Sequence, residues 1–376
     1  MKRIDSLEGL RGIAAFMVLF NHLGVMFYPA YYWEVEETGR HCEFIEYYLG
    51  QTPLAVLFAG HSGVMIFFIL TGFGSFLACD KGREQCVRYA SLRFFKLAVL
   101  LMLSTMIIGV LLEFNFTFYN DIVNYTCSPW IQGWGTVLEH NVVKFFFGNW
   151  FTTGSAYNPT LWTMPYIFMG SAICVMLYVL WCNLKKGYIA SLCVGICLII
   201  FGMPNYVACV LGYLLGYYYR QKPDRRINIV FGALALLMAV FLCGYPMETE
   251  SQWIFYHFLP RQYVSYYHMA GAFLLLYISL FYNPVKKVLE SKVFLALGNY
   301  SMSFYVIHFA ILMSVTSYLF IKLLSRYSYN VSVLIVWVVT VFVTCVAAVL
   351  LKRVIDRIYV WLDWAYDRVY GYMNQD

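Results

Sequence analysis

His22 and Arg11 are the residues whose types and spacing best fit them for chemistry. His22 lies near the middle of an apolar stretch running from Gly9 to Tyr28. An ionisable side chain at bilayer depth is costly, so it marks a functional site by default. Arg11 precedes it by eleven residues. That is about three helical turns, which puts both on one helix face about 16 Å apart along the axis. One face then carries a cation at the membrane edge and an imidazole near the midplane. This layout suits a long anionic ligand whose reactive end reaches into the membrane. Histidine titrates near neutrality, so His22 can act as a general base toward a hydroxyl. The plain alternative is a histidine that only packs one helix on another, and the register with Arg11 argues against it. Asn21 is adjacent but points about 100° away, so it need not help.

A second cluster lies in Arg88-Tyr-Ala-Ser-Leu-Arg93-Phe-Phe-Lys96. Arg93 and Lys96 are three apart and share a helix face. Ordinary charge anchoring would explain them equally well taken alone. The chemical alternative is a phosphate clamp, with the arginine binding in two-pronged fashion and the lysine as a point charge. Arg11 falls at the same depth, and three cations around one inner mouth could hold a nucleotide-type ligand. His308 lies in Asn299-Tyr-Ser-Met-Ser-Phe-Tyr-Val-Ile-His308-Phe, about 10 Å into its span, with packing and catalysis evenly balanced. His61 and His268 fall near the outer ends of their spans, where a histidine can reach headgroup water or touch a substrate. Trp162, in Asn158-Pro-Thr-Leu-Trp162-Thr-Met, is either an interface anchor or a stacking surface for a sugar. No GxSxG elbow, P-loop or HExxH motif is present, and no metal is expected.

The elements that must position these residues follow from composition. Of 376 residues, 61% are hydrophobic and only 12% charged, about half the charged share of a soluble domain. This is the composition of an integral membrane protein. A spanning helix needs about 20 apolar residues. On that basis the chain reads as an all-α polytopic bundle of about ten spans. Their limits are 10–30, 54–77, 93–113, 160–182, 188–203, 205–220, 228–245, 263–282, 300–323 and 331–351. Alternate loops, together with the termini, hold 21 of the 26 basic residues but only 10 of the 20 acids. The positive-inside rule places them, and both termini, in the cytoplasm. The basic balance is therefore topological and implies the lipid bilayer as partner, not nucleic acid. Residues 114–159 form a long aromatic outer loop expected to cap part of an outer cavity. The tail at 353–373 reads as an amphipathic helix on the inner leaflet. Cys42 and Cys127 both fall in outer loops and could pair.

The motifs together resemble a known family. SLEGLRGIAAFMVLFNH resembles the opening of the acyltransferase type 3 family of integral-membrane acyltransferases, with its Arg-x10-His motif at Arg11 and His22. GVMIFFILTGF (63–73), YNPTLWTMPYIFMGS (157–171) and NYSMSFYVIHF (299–309) resemble that family's second, fourth and ninth spans. Arg93-Phe-Phe-Lys96 is similar to its Arg-x-x-Arg motif, with lysine for the second arginine. The resemblance implies an acyltransferase that takes an acyl group, most often acetyl, from cytoplasmic acyl-CoA. The group would pass to a hydroxyl of a cell-surface carbohydrate or related acceptor. It implies His22 as catalytic residue, Arg11, Arg93 and Lys96 as binders of the CoA phosphates, and a plasma (inner) membrane location. Two departures stand out. Where members often read Trp-Thr-Met-x-Ile-Glu-Phe, this chain has Ile167 at the glutamate position, and Lys96 loses two-pronged phosphate geometry.

The expectation is a transmembrane acyltransferase-type domain at 1–352 and an amphipathic cytoplasmic tail at 353–376. Acceptor contacts would come from Trp162, His61, His268 and His308. The rival is a transporter or flippase of a lipid-linked or acylated metabolite, which fits ten spans equally well but needs no thioester donor. Transporters often carry paired repeats with interrupted helices, and no such pairing is evident.

Overall fold

The structure is a computed structural model, and it describes residues 4–33, 44–132, 158–249, 251 and 253–373. Among the described residues there is helix and turn but no strand. The helices, in order, are α1 Asp5–Phe27, α2 Phe44–Gln51, α3 Gly60–Cys79, α4 Arg83–Glu113, α5 Tyr119–Thr126, α6 Pro129–Gln132 and α7 Thr163–Trp181. They continue with α8 Gly187–Ile200, α9 Pro204–Gln221, α10 Ile229–Cys243, α11 Val264–Phe281, α12 Asn283–Leu289, α13 Lys292–Ile311, α14 Ser317–Leu324 and α15 Tyr329–Met373.

Seven helical stretches among the described residues are long and apolar enough to cross a membrane. They contain α1, α3, α4, α7, α11, α13 with α14, and α15. Two shorter apolar helices, α8 and α10, and the 18-residue α9 fall on the other expected stretches. The expected 54–77 span starts late. Pro53 opens a 3-10 turn over Pro53–Phe58, and α3 begins only at Gly60. The expected boundary at 352/353 coincides with no break, because α15 runs unbroken from Tyr329 to Met373. The tail, expected along the inner leaflet, continues this helix and is tied to α4. Tyr359 Oη donates to the Lys96 carbonyl at 2.9 Å, and Asp363 pairs with Lys96 and Arg88. The proposed Cys42–Cys127 pairing lies outside the described residues at Cys42, as does most of the 114–159 loop.

α3 is the axis of the bundle, buried along most of its length and packed against α1, α4, α7, α9 and α11. In lipid, apolar contact alone does not draw helices together, and small residues permit the close approach that does. At the α3–α9 crossing, a Cβ on Gly72 would collide with the Cys209 carbonyl, and one on Gly212 with the Ile69 carbonyl. The α1–α13 contact is equally close, with Gly12 against the Gly298 amide. This second contact brings the helices of His22 and His308 side by side. One turn beyond His308 the chain shifts to π-helix over Leu312–Thr316, a distortion common near functional sites.

Candidate active site

Two cavities lie on opposite sides of a narrow neck, called inner and outer here by the sides expected from the loop charges. The inner one, of about 470 Å³, is lined by Arg11, Arg88, Arg93, Lys96, Tyr359 and Asp363 among others. The outer one, of about 540 Å³, is lined by Asn21, His22, His61, Trp130, Trp162 and Glu248 among others. Between them Val64, Phe67, Thr163, Met164, Ile167, Met302 and Tyr305 enclose only about 10 Å³. Phe67, Ile167 and Met302 also face the inner cavity, and Val64 and Tyr305 the outer one. Arg11 and His22, placed on one face by their spacing, therefore open onto different cavities of a single path.

His22 has the best-defined geometry. Its Nδ1 lies 3.0 Å from His308 Nε2, and the two rings are stacked at 5.1 Å with 9° between their planes. His308 Nδ1 lies 2.6 Å from the Tyr305 carbonyl oxygen, which can only accept. His308 must therefore donate from Nδ1, so when neutral it accepts at Nε2. His22 then donates from Nδ1 and keeps the lone pair on its own Nε2. A second-layer hydrogen bond thus sets which ring nitrogen is basic. His308 is 1% exposed and acts from behind His22, outside the cavity linings.

Trp130 covers the other side of His22, its ring stacked at 4.6 Å and 18°. Motif reading missed this tryptophan, which comes from the outer loop expected to cap the cavity. The 3-10 turn Pro159–Trp162 is capped by Asn158, which accepts from the Thr160 amide at 2.9 Å and from its hydroxyl at 2.6 Å. Asn158 also donates to Ser104 at 2.8 Å, tying this entry turn to α4. Tyr305, at the neck, bonds Thr163 Oγ1 at 2.8 Å and donates to the Thr160 carbonyl. Asn21 also reaches the outer cavity, accepting from Tyr31 Oη at 3.0 Å.

His61 and His268, expected singly at the outer ends of their spans, are brought together. Their Nδ1 atoms lie 2.9 Å apart, His268 is 1% exposed, and its Nε2 lies 2.8 Å from the Tyr245 carbonyl. His61 lines the outer cavity and His268 stands behind it.

The three inner cations differ in what they face. Arg11 is forked onto Glu8 at 3.0 and 3.1 Å. Lys96 holds both oxygens of Asp363 at 3.1 and 2.9 Å. Arg88, outside the expected set, pairs with Asp363 at 3.2 Å and with Asp367. Arg93 has no carboxylate within ion-pair distance among the described residues, and its buried Nε lacks a partner there. Ile167, at the family's glutamate position, is 7% exposed and puts an apolar wall into both the inner cavity and the neck.

No group of three or more metal-ligating side chains is found among the described residues. The chain matches none of the curated proteins or solved structures with which it was compared. The family profile described as an acyltransferase domain matches residues 4–353. With a match of that extent, over helices this apolar, the chain belongs to the acyltransferase type 3 family of membrane acyltransferases.

Proposed function

We propose that the protein moves an acyl group, acetyl in the first instance, from cytoplasmic acyl-CoA to a hydroxyl of a cell-surface carbohydrate or related acceptor. The observation carrying this reading is the His22–His308–Tyr305 chain, which leaves a basic nitrogen on a residue lining the outer cavity. The inner cavity would take the donor, with Arg93 on a phosphate and Arg11 and Lys96 beside it. The pantetheine arm would run through the neck to bring the thioester to His22. The neck is too narrow for that arm as it stands, and Met164 and Met302 supply the flexible side chains that can move aside. Trp162, Trp130 and the amide of Asn21 give the outer cavity the apolar faces and hydrogen-bonding edges that a sugar needs. We place ten spans, from the apolar runs, in the plasma (inner) membrane, and put both termini and the 353–376 tail in the cytoplasm from the loop charges.

Membranes carrying the protein, given acetyl-CoA labelled in the acetyl group, are expected to label a lipid or glycan fraction that membranes without it leave unlabelled. A transporter or flippase would use the same two cavities but release no CoA thiol, so absence of both label and thiol would favour that reading.

A further inference from the structure

The outer cavity holds a second histidine pair built like the first. His268 Nε2 faces the Tyr245 carbonyl at 2.8 Å, so it must donate there and accept at Nδ1. His61 Nδ1, 2.9 Å away, is then the donor, and the lone pair of His61 stays on Nε2. The opposite tautomers would set lone pair against lone pair in a buried site, which costs the full desolvation of those atoms. In both pairs a buried histidine, anchored on a backbone carbonyl, orients a histidine of the cavity wall. His61 comes from the first turn of α3 and His22 from α1, and both line the same space of about 540 Å³.

One imidazole cannot both carry an acyl group and receive the acceptor's proton through the same nitrogen. We propose that the two tasks are divided: His22 takes the acyl group, and His61, positioned by His268, is the base for the acceptor hydroxyl. This rests on the acyltransferase reading above. In the first step His22 Nε2 attacks the thioester carbon. A C–N bond forms, the C–S bond breaks, and CoA leaves as thiolate toward the inner cavity, taking a proton from water there. The Nδ1 proton of His22 passes to His308 Nε2, leaving a neutral acyl-imidazole. In the second step the acceptor hydroxyl gives its proton to His61 Nε2 while its oxygen attacks the acyl carbon. The C–O bond forms, the C–N bond breaks, and His22 Nδ1 recovers its proton from His308. His61 then releases its proton to water in the outer cavity.

The two steps separate with a nucleophile that needs no base. Hydroxylamine attacks through a neutral nitrogen lone pair, whereas a hydroxyl must first be deprotonated. Membranes with the protein receive labelled acetyl-CoA, and two products are followed: acetyl-hydroxamate with added hydroxylamine, and label in the lipid and glycan fractions without it. His61→Gln is expected to form hydroxamate at close to the unmodified rate while lipid or glycan labelling falls about 100-fold or more, the scale of a lost general base. His22→Ala is expected to lose both. Undiminished lipid or glycan labelling by His61→Gln would overturn the proposal. So would loss of both products in a His61→Gln protein that still melts cooperatively at the usual temperature. If the unmodified protein yields neither product, the acyltransferase reading itself fails and takes this division of labour with it.

Discussion

His22 on α1 and His308 on α13 sit ring against ring, Nδ1 to Nε2 at 3.0 Å, although 286 residues separate them in the chain. The contact depends on Gly12 and Gly298 letting the two helices approach. Its consequence is a fixed tautomer. His308→Leu removes the acceptor for His22 Nδ1–H and frees that ring to rotate or switch its proton. We predict that acetyl transfer falls about 100-fold with little change in KM for acetyl-CoA. His308→Asn, which keeps a carbonyl acceptor, is expected to retain more activity than His308→Leu. Equal loss in both variants would show that His308 serves packing and not tautomer control.

Arg93 is expected to act on binding alone. It lines the inner cavity with no carboxylate partner among the described residues. Arg93→Ala should raise KM for acetyl-CoA about 10- to 100-fold, the worth of a charge-assisted hydrogen bond, with kcat nearly unchanged. That split is the signature of binding lost equally from ground and transition states. Arg93→Lys should fall between, because an ammonium cannot grip phosphate in two places. A fall in kcat at unchanged KM would move Arg93 out of the donor site.

Asp363 competes for the cations that the donor would use. Its carboxylate holds Lys96 at 2.9 Å and Arg88 at 3.2 Å within the lining of the inner cavity. The pair is partly exposed, with Asp363 36% accessible, so each link is worth at most about 1 kcal/mol. Asp363→Asn should therefore lower KM for acetyl-CoA by up to about fivefold and make it more sensitive to salt, as expected when free cations meet a phosphate. A raised KM would mean that Asp363 holds the donor site in shape.

The neck sets what can pass from one cavity to the other. Met302 lies in its wall and in that of the inner cavity. Met302→Trp should block transfer while leaving equilibrium binding of CoA in place. Met302→Ala should raise the rate with butyryl-CoA relative to acetyl-CoA. Identical chain-length preference in Met302→Ala and the unmodified protein would exclude the neck as the acyl filter.

Features local to one helix were legible in the sequence. Arg11 and His22 share a helix, so periodicity alone set their register, and apolar runs of spanning length located the helices. Features that arise between helices were not. Nothing local to Tyr305-Val-Ile-His308 tells that the ring will turn to a carbonyl three residues back and offer Nε2 to α1. His61 and His268 read as separate interface histidines because 207 residues lie between them. Trp130 was hidden in a loop whose aromatic content pointed only to a cap. The alternating Trp, Tyr, Asp and Arg of the tail read as an amphipathic helix, but nothing in that local pattern tells that Asp363 and Tyr359 find partners on α4. The fate of Lys96 likewise depends on Asp363, 267 residues away, whose approach no motif encodes, whereas the Glu8–Arg11 pair is a one-turn spacing along α1 that the sequence itself contains.

The central claim is that His22 handles the acyl group. The most direct measurement compares membranes containing the unmodified protein, its His22→Ala variant at equal abundance, or neither, each given acetyl-CoA labelled in the acetyl group. The account predicts label in a lipid or glycan fraction with the unmodified protein alone, and saturable CoA binding by both forms. Undiminished transfer by a folded His22→Ala protein would contradict it.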